Sequence, residues 1–150
     1  MNLLSRGTAL ALAGLGLWSA PATAQDVANG EVQFGRQCVA CHVVRDPEGR
    51  VLAGRNARTG PNLYGIEGRV IGSVEDFRYG DAMIRLRDRG MEWDEESFLG
   101  YVTDPTAWLR ATLEDRRARG KMAYQVRDPQ DAADIYAYIE GLSTRSEAAN

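Results

Sequence analysis

Every cysteine and histidine of this 150-residue chain lies in one pentapeptide, Cys-Val-Ala-Cys-His, at residues 38–42. Thiolate and imidazole are strong ligands for transition metals, so metal or redox chemistry based on them is restricted to this one point of the chain. A domain of this size buries only a thin core and often depends on a bound group for stability. We therefore expect the fold to form around whatever the pentapeptide holds.

The C-x-x-C-H spacing is the signature of covalent haem attachment. Two thiols, Cys38 and Cys41, add to the two vinyl groups as thioethers, and His42 then lies beneath the iron as its proximal ligand. A structural zinc site typically takes four Cys or His ligands, and this chain has only three. A thioredoxin-like dithiol occurs in a βαβ setting, which is absent here, and does not need the histidine. A disulfide between Cys38 and Cys41 would close too small a loop to stabilise the fold much. The motif predicts one covalent haem c.

Residues 1–24 have the features of an export signal. Arg6 supplies a positive start, an apolar run follows, and Ala-Thr-Ala at residues 22–24 is a small-x-small cleavage site. The run is shorter than the ~20 residues that cross a bilayer, and Pro21 follows it, so cleavage is favoured over a membrane anchor. We expect residues 25–150 to form one periplasmic domain without membrane insertion.

The charge of residues 25–150 bears on the partner class. Without Arg6 the chain keeps 17 basic and 21 acidic residues, a net charge of -4, which argues against nucleic acid as a partner. The basic residues are nevertheless concentrated. Residues 108–127 contain six of them and two acidic residues, so a surface of local charge +4 is predicted in an acidic protein.

Helical features occur in four segments of the chain. Residues 26–37 lead into the Cys motif, residues 93–104 begin with acidic side chains, and residues 104–115 and 128–142 both open with Asp-Pro. The last segment has an apolar stripe at helical spacing that needs a packing partner: Ile135, Tyr138, Ile139 and Leu142.

Between these segments, residues 43 to about 71 are rich in Gly and Arg and have no predicted regular structure. A long loop in a small domain is usually functional or wraps a bound group. Strand signals are weak throughout. The predicted fold class is all-α, a single domain of four to five helices with long loops wrapped around one covalent haem.

The second axial ligand of the iron cannot be another imidazole, because the chain has one histidine. Met, Lys, Tyr, water or no ligand remain. Met83 and Met91 are available, and a methionine is more often core filler than a ligand. Met122 lies in a polar stretch between Gly120 and Tyr124, where core filler is not expected, so the context favours Met122.

Five motifs resemble one known family in their order and approximate spacing. They are GEVQFGRQCVACH, GPNLYGIEGR, WDEESFLGYVTDPTAWL, GKMAY and DIYAYI. Together they extend over nearly all of residues 25–150 and are similar to the class I c-type cytochromes, in particular to the bacterial cytochrome c2 branch. Five motifs in the same order identify the family far more specifically than C-x-x-C-H alone.

The resemblance implies roles for the ligating residues. Cys38 and Cys41 would hold the haem, His42 and Met122 would ligate the iron, and the carbonyl of Pro61 would accept the other imidazole N–H. That bond would determine the orientation and tautomer of the ring.

It also implies roles for residues around the haem. Arg69, Tyr79 and Trp93 would hydrogen-bond the buried propionates, which need such partners. Tyr101 would lie near the methionine sulfur, and Tyr124 stands where the family has an aromatic residue shielding the haem edge. Without the resemblance, Tyr79, Trp93 and Tyr101 could equally be core aromatic residues, and Arg69 could be a solvated surface charge.

In packing, the resemblance implies that Gly30 and Phe34 of the first helix cross the last helix at Ile135 and Tyr138. The chain departs from the family at the haem edge, where members often carry lysines. Lys121 is the only lysine, and arginine occupies nearly all other basic positions. Because Arg and Lys dock differently, this departure bears on partner preference.

The function implied by the resemblance is one-electron transfer by a monomeric periplasmic protein. In the family, electrons come from the membrane cytochrome bc complex and pass to a photosynthetic reaction centre or a terminal oxidase, docking transiently at the haem edge. A dedicated acceptor for a periplasmic dehydrogenase would have the same residues. A haem enzyme or gas-binding protein would need an open iron site, and the sequence has no second histidine or acid/base pair to support one.

Overall fold

The computed structural model describes residues 25–149 and confirms the all-α class. Five α-helices are joined by long loops, and one short antiparallel hairpin interrupts them. The predicted signal segment, residues 1–24, lies outside the described residues and stays a prediction. The elements are α1 (Val27–Gln37), β1 (Val43–Arg45), β2 (Val51–Gly54), α2 (Asp81–Asp88), α3 (Glu95–Thr103), α4 (Pro105–Thr112) and α5 (Pro129–Ala148).

Four helices start at aspartate caps, Asp26 being that of α1, and the two Asp-Pro pairs of the sequence indicated those of α4 and α5. Asp94 forms a capping box with Ser97 at the start of α3, while Asp104 and Asp128 accept backbone N–H bonds at the starts of α4 and α5. Such caps satisfy N–H groups that have no partner within the helix. Asp104 is both the C-cap of α3 and the N-cap of α4, and its extended backbone separates the two helices.

The hairpin and α2 were not predicted. The turn between β1 and β2 closes when Gly49 N–H donates to the carbonyl of Asp46, and the Asp46 carboxylate accepts from the Arg50 N–H at 2.8 Å. Helix α2 has no side-chain cap and carries many charges, so it has little local signal. It is stabilised by burying Ala82, Met83 and Leu86 in the core.

The crossing of α1 and α5 is confirmed. A Cβ at Gly30 would lie 2.9 Å from the Tyr138 Cβ and closer still to the Asp134 carbonyl, so only glycine permits this approach. The rings of Phe34 and Tyr138 pack with centroids 5.7 Å apart. The apolar stripe of α5 therefore has α1 as its partner.

Helix α5 extends six residues past its predicted end at 142. Two buried serines explain the extension: Ser143 Oγ accepts from the Gly65 N–H at 2.8 Å, and Ser146 Oγ donates to Asp46 at 3.2 Å. Both contacts are tertiary, so periodicity in the sequence does not reveal them. No helix among residues 25–149 combines the length and apolar character needed to cross a bilayer.

Candidate haem site

The two cysteines and the histidine lie in one tight turn that follows α1. The N–H groups of Cys41 and His42 both donate to the carbonyl of Cys38, at 3.0 and 2.9 Å. Both cysteines are free thiols. Burial, with a smaller contribution from Cys41, raises the pKa of the Cys38 thiol to about 12. Before any attachment the Cys38 thiol is therefore neutral at physiological pH.

His42 is held by the first two residues of the GPNLYG motif, Gly60 and Pro61. Its Nδ1 lies 2.9 Å from the carbonyl oxygen of Pro61, and because a carbonyl only accepts, Nδ1 carries the proton. A Cβ at Gly60 would lie 2.6 Å from Nδ1, so the Gly60 backbone packs directly on the ring. The Gly60 N–H in turn donates to the Cys41 carbonyl at 2.7 Å.

Electrostatics keep the imidazole in the form that can ligate a metal. Burial lowers the pKa of His42, and the hydrogen bond to Pro61 offsets part of that effect. With Nδ1 protonated and the ring neutral, Nε2 retains its lone pair. No hydrogen-bond partner occupies Nε2 within residues 25–149. The predicted contact between His42 and the Pro61 carbonyl is thus present, and it leaves Nε2 available as a metal ligand.

Arg69 and Trp93 are brought together by a short antiparallel pairing of two loops. The Trp93 N–H donates to the Arg69 carbonyl at 3.0 Å, and Ile71 N–H donates to the Met91 carbonyl at 2.8 Å. Trp93 is 7% exposed, and its ring centroid lies 5.4 Å from that of Tyr101 on α3. Two residues that are 24 positions apart therefore share one wall with α3.

Tyr79 and Tyr101 add two phenol hydroxyls to this part of the site, Tyr101 buried and Tyr79 half-buried. Burial raises the pKa of Tyr79, and the nearby Arg69 charge lowers it in part. Burial, with a smaller contribution from Tyr79, raises the pKa of Tyr101 to about 12. Tyr79 therefore lies within electrostatic range of both Arg69 and Tyr101. Both phenols are protonated donors at neutral pH.

Arg69 itself has no acidic partner. Burial lowers its pKa, and its guanidinium donates to two backbone carbonyls, those of Tyr64 at 2.6 Å and Asn62 at 3.1 Å. No ion pair to Arg69 is present within residues 25–149. A half-buried cation with the neutral phenol of Tyr79 nearby is suited to bind a carboxylate, because it would otherwise lack a counter-charge.

The three methionines of the described region differ in their surroundings. Met83 is 7% exposed and packs in the core from α2, while Met91 packs against the core from a loop. Met122 is half-buried in the irregular segment between α4 and α5. Within residues 25–149, no group of three or more His, Cys, Asp or Glu side chains is placed to hold a metal ion.

The segment around Met122 is attached to the rest of the protein by its neighbours. Lys121 Nζ donates to the carbonyl of Arg78 at 2.7 Å, and its aliphatic stem packs beside Gly80. The Val126 N–H donates to the Val102 carbonyl on α3 at 2.9 Å. Lys121, expected from sequence to belong to a docking surface, thus also has an internal structural role.

The basic residues of 108–127 divide into two groups. Arg110 and Lys121 donate to backbone carbonyls, so their charges are partly engaged within the protein. The remaining four are exposed and make no side-chain hydrogen bond or ion pair within residues 25–149. We call these four residues the basic rim: Arg116, Arg117, Arg119 and Arg127.

One contact near Met122 was not anticipated from the sequence. Tyr124 is 49% exposed, and its hydroxyl donates to Gln37 Oε1, on α1, at 3.2 Å. Gln37 immediately precedes Cys38, and that adjacency is the one sequence signal that could have drawn attention to it.

Comparison with known proteins gives a consistent set of relatives. The chain is 51% identical to the cytochrome c2 of Rhodovulum adriaticum over 122 residues, 81% of this chain and 96% of that protein. It is 43% identical to a cytochrome c2 of Cereibacter sphaeroides over 141 residues, with 90% and 95% covered. No protein-family model matches the chain.

Solved structures agree with these relatives. The cytochrome c2 structure from Rhodobacter sphaeroides superposes with a TM-score of 0.74 at 44% identity, covering 77% of this chain and 94% of that one. Ferric cytochrome c-550 from Paracoccus versutus superposes with a TM-score of 0.73 at 39% identity, covering 80% and 99%.

Proposed function

Because the chain belongs to the class I c-type cytochromes, in their cytochrome c2 branch, we propose that it carries one electron at a time on a single covalent haem c. When bound, the haem supplies an iron centre that cycles between Fe(III) and Fe(II). Cys38 and Cys41 would attach this group, His42 and Met122 would ligate its iron, and Arg69 would neutralise a carboxylate.

The observation that carries the proposal is the setting of His42. Pro61 accepts the Nδ1 proton, so the neutral ring offers Nε2 as the proximal ligand, and the hydrogen bond increases its basicity. Gly60 packs on the ring and limits its rotation. Cys38 and Cys41 lie in the same turn, where two thioethers would hold the group beside the ring.

Met122 is proposed as the distal ligand. Met83 is already buried in the core, whereas Met122 lies in the non-helical segment between α4 and α5. A thioether ligand raises the reduction potential and favours the reduced state. Replacing Met122 by Ala should abolish the weak thioether-to-iron absorption of the oxidised holoprotein and lower its potential. Met83→Leu is the matched control, and it should keep the band.

The assignment of Met122 would be wrong if that band survived in Met122→Ala and vanished in a variant of Met83 or Met91. The haem carboxylates would be held by other residues of the site. Arg69 would neutralise a propionate, and Tyr79 and Trp93 would donate to it.

Electron carriage, rather than catalysis, follows if both axial positions are filled, because no substrate then reaches the metal. A carbon monoxide difference spectrum of the reduced holoprotein tests this directly. We expect no spectral change at neutral pH. Rapid carbon monoxide binding to the native protein would instead indicate an open iron site and an enzyme or gas-binding role.

We further propose that the donor is a cytochrome bc complex and that the acceptor is a photosynthetic reaction centre or a terminal oxidase. Docking would use the basic rim against an acidic partner surface, since electrostatic steering acts over a Debye length of ~8 Å at physiological ionic strength. Raising the salt concentration should slow the bimolecular rate several-fold. Arg119→Glu should slow it further and flatten the salt dependence.

Arg55 provides the control for that experiment, because it is exposed but lies outside the basic rim, in the loop after β2. Arg55→Glu changes the net charge by the same amount and should have a much smaller effect. Equal effects of the two variants would show that net charge, and not the rim, controls association.

Export to the periplasm is proposed from residues 1–24 and is tested by mass spectrometry of the protein recovered from the periplasmic fraction. The expected amino terminus is Gln25. A protein retained in the membrane fraction with residues 1–24 intact would contradict cleavage.

A further inference from the structure

Tyr124 combines exposure with a defined anchor. At 49% exposure it is the one aromatic side chain among the large exposed apolar residues of 25–149; the others are valines. Its hydroxyl nevertheless donates to Gln37 Oε1 at 3.2 Å. A surface tyrosine with a single free hydroxyl would sample several rotamers, whereas this one has a preferred orientation.

The hydrogen bond between Tyr124 and Gln37, called the anchor below, joins two segments of the candidate haem site. Gln37 is the last residue of α1 and precedes Cys38, while Tyr124 lies two residues after Met122. The two residues are 87 positions apart in sequence. Their hydrogen bond therefore connects the segment that carries a haem-attaching thiol to the segment that carries the proposed distal ligand.

Gln37 is itself held in place by its amide nitrogen. Nε2 donates to Gln33 Oε1 at 3.0 Å and to Asp131 Oδ2, on α5, at 3.3 Å. Because the nitrogen has acceptors on both sides, the orientation of the amide is determined, and Oε1 is left as the acceptor for Tyr124. The anchor is thus supported by the packed pair of helices α1 and α5.

We propose that Gln37 is a positioning residue for electron transfer, which holds the Tyr124 ring in place as a preorganised contact for the redox partner. The inference rests on the proposed function. Tyrosine and arginine are the residues most often found at the energetic centre of protein interfaces, and a contact that is already ordered costs less entropy on binding. The arginines of the basic rim flank Tyr124 in sequence, at 119 and 127.

The partner surface implied by this arrangement is acidic with an apolar recess. The acidic groups would face the arginines, and the recess would accept the exposed tyrosine ring. Steering by the arginines brings the surfaces together, and the fixed ring determines their relative orientation. Gln37 therefore acts through the Tyr124 hydroxyl, and the Tyr124 ring contacts the partner.

Two variants test the anchor in the holoprotein. Tyr124→Phe keeps the ring and removes the hydroxyl, and Gln37→Leu removes the acceptor at similar size. Each should slow the bimolecular reaction with the purified cytochrome bc complex by about threefold, the size expected for one exposed neutral hydrogen bond. The double variant should be no slower than either single variant, because both remove the same interaction.

Controls separate the anchor from general effects. Gln130→Leu makes the same exchange on α5, where the amide donates to Asp134 and bonds neither Gln37 nor Tyr124, and Tyr64→Phe removes another tyrosine hydroxyl, which donates to the Ser143 carbonyl. Both should react at the wild-type rate. Nuclear magnetic relaxation of labelled tyrosine should show a more mobile Tyr124 ring in Gln37→Leu, a change that loss of stability elsewhere would not produce.

A small inorganic oxidant, hexacyanoferrate, distinguishes docking from intrinsic reactivity. Its rate should be unchanged in all variants. Variants that match the wild type with the bc complex, or that slow equally with hexacyanoferrate, overturn the inference and leave the proposed function intact. A wild-type protein that exchanges no electrons with the bc complex or with membrane oxidase overturns the proposed function, and the inference with it.

Discussion

The proximal turn and the Met122 segment are held in different ways. Around His42 the loops are held mainly by hydrogen bonds between backbone groups. The Gly60 N–H donates to the Cys41 carbonyl at 2.7 Å, and the Leu63 N–H donates to the Val43 carbonyl at 2.9 Å. Residues 119–125 show no backbone–backbone hydrogen bond within the described part of the chain. Side chains attach them instead, through Lys121 and Tyr124.

This difference indicates which side of the site tolerates a local change of structure. A backbone-built turn allows little change without rearrangement of the loop, whereas a segment attached by side chains opens locally at lower free energy. We therefore expect the proximal side to determine whether the protein folds and the distal side to determine how easily the site opens. Four experiments probe this contrast.

Removing the haem should have the largest effect. The double variant Cys38→Ala, Cys41→Ala cannot form thioethers, and the Gly- and Arg-rich loop from 43 to 71 would lose the apolar group it surrounds. Far-ultraviolet circular dichroism should show much less helix than in the holoprotein. Equal helicity would contradict a structural role for the cofactor, and haem extracted from the native protein by acid solvent would contradict the thioethers.

Gly60→Ala should break the proximal side with a single methyl group. The new Cβ would lie 2.6 Å from His42 Nδ1, so the ring or the loop must move, and overpacking of this kind costs about 1–3 kcal/mol. Gly35→Ala is the control, because a Cβ there would meet nothing within 4 Å beyond its chain neighbours and the backbone of its own helix. Being in α1, it should stabilise by up to ~1 kcal/mol. Equal denaturation midpoints for the two variants would sink this prediction.

Acid should loosen the proximal hairpin before the Met122 segment. Burial raises the pKa of Asp46, but hydrogen bonds and the charge of Arg50 outweigh it, so the net pKa is lowered. A depressed carboxyl pKa contributes stability above the unfolded value of about 3.9, and that stability is lost as pH falls through the folded value. Hydrogen exchange near pH 3 should increase first at residues 43–54, and in Asp46→Asn this pH dependence should disappear.

Lys121→Met should have the smallest effect and act only on the distal side. It keeps the aliphatic stem beside Gly80 and removes the hydrogen bond to Arg78, an exposed bond worth about 0.5–1.5 kcal/mol. Imidazole should bind the ferric protein several-fold faster, since Met122 must move to admit it. Unchanged binding kinetics together with reduced global stability would show that Lys121 supports the fold and not the segment.

Much of this organisation is predictable because it is encoded locally. The Cys-x-x-Cys-His spacing, the Asp caps of α3, α4 and α5, and the apolar stripe of α5 each depend on residues within one or two turns. The resemblance to the family added the longer-range pairs, such as Pro61 with His42. Helix α2 and the end of α5 were missed because burial and distant serine contacts, not local propensity, stabilise them.

Sequence alone was enough to predict the all-α fold, the proposed cofactor class and the turn proposed to attach it, because each prediction rests on residues at short spacing. Only the tertiary structure decided which basic residues are free to meet a partner and which donate to the protein's own carbonyls, as Arg110 and Lys121 do. The same holds for the bond from Tyr124 to Gln37, whose partners meet only after α1, α5 and the intervening chain have packed. Charge and polarity are properties of a residue, whereas a hydrogen-bond partner is a property of the fold.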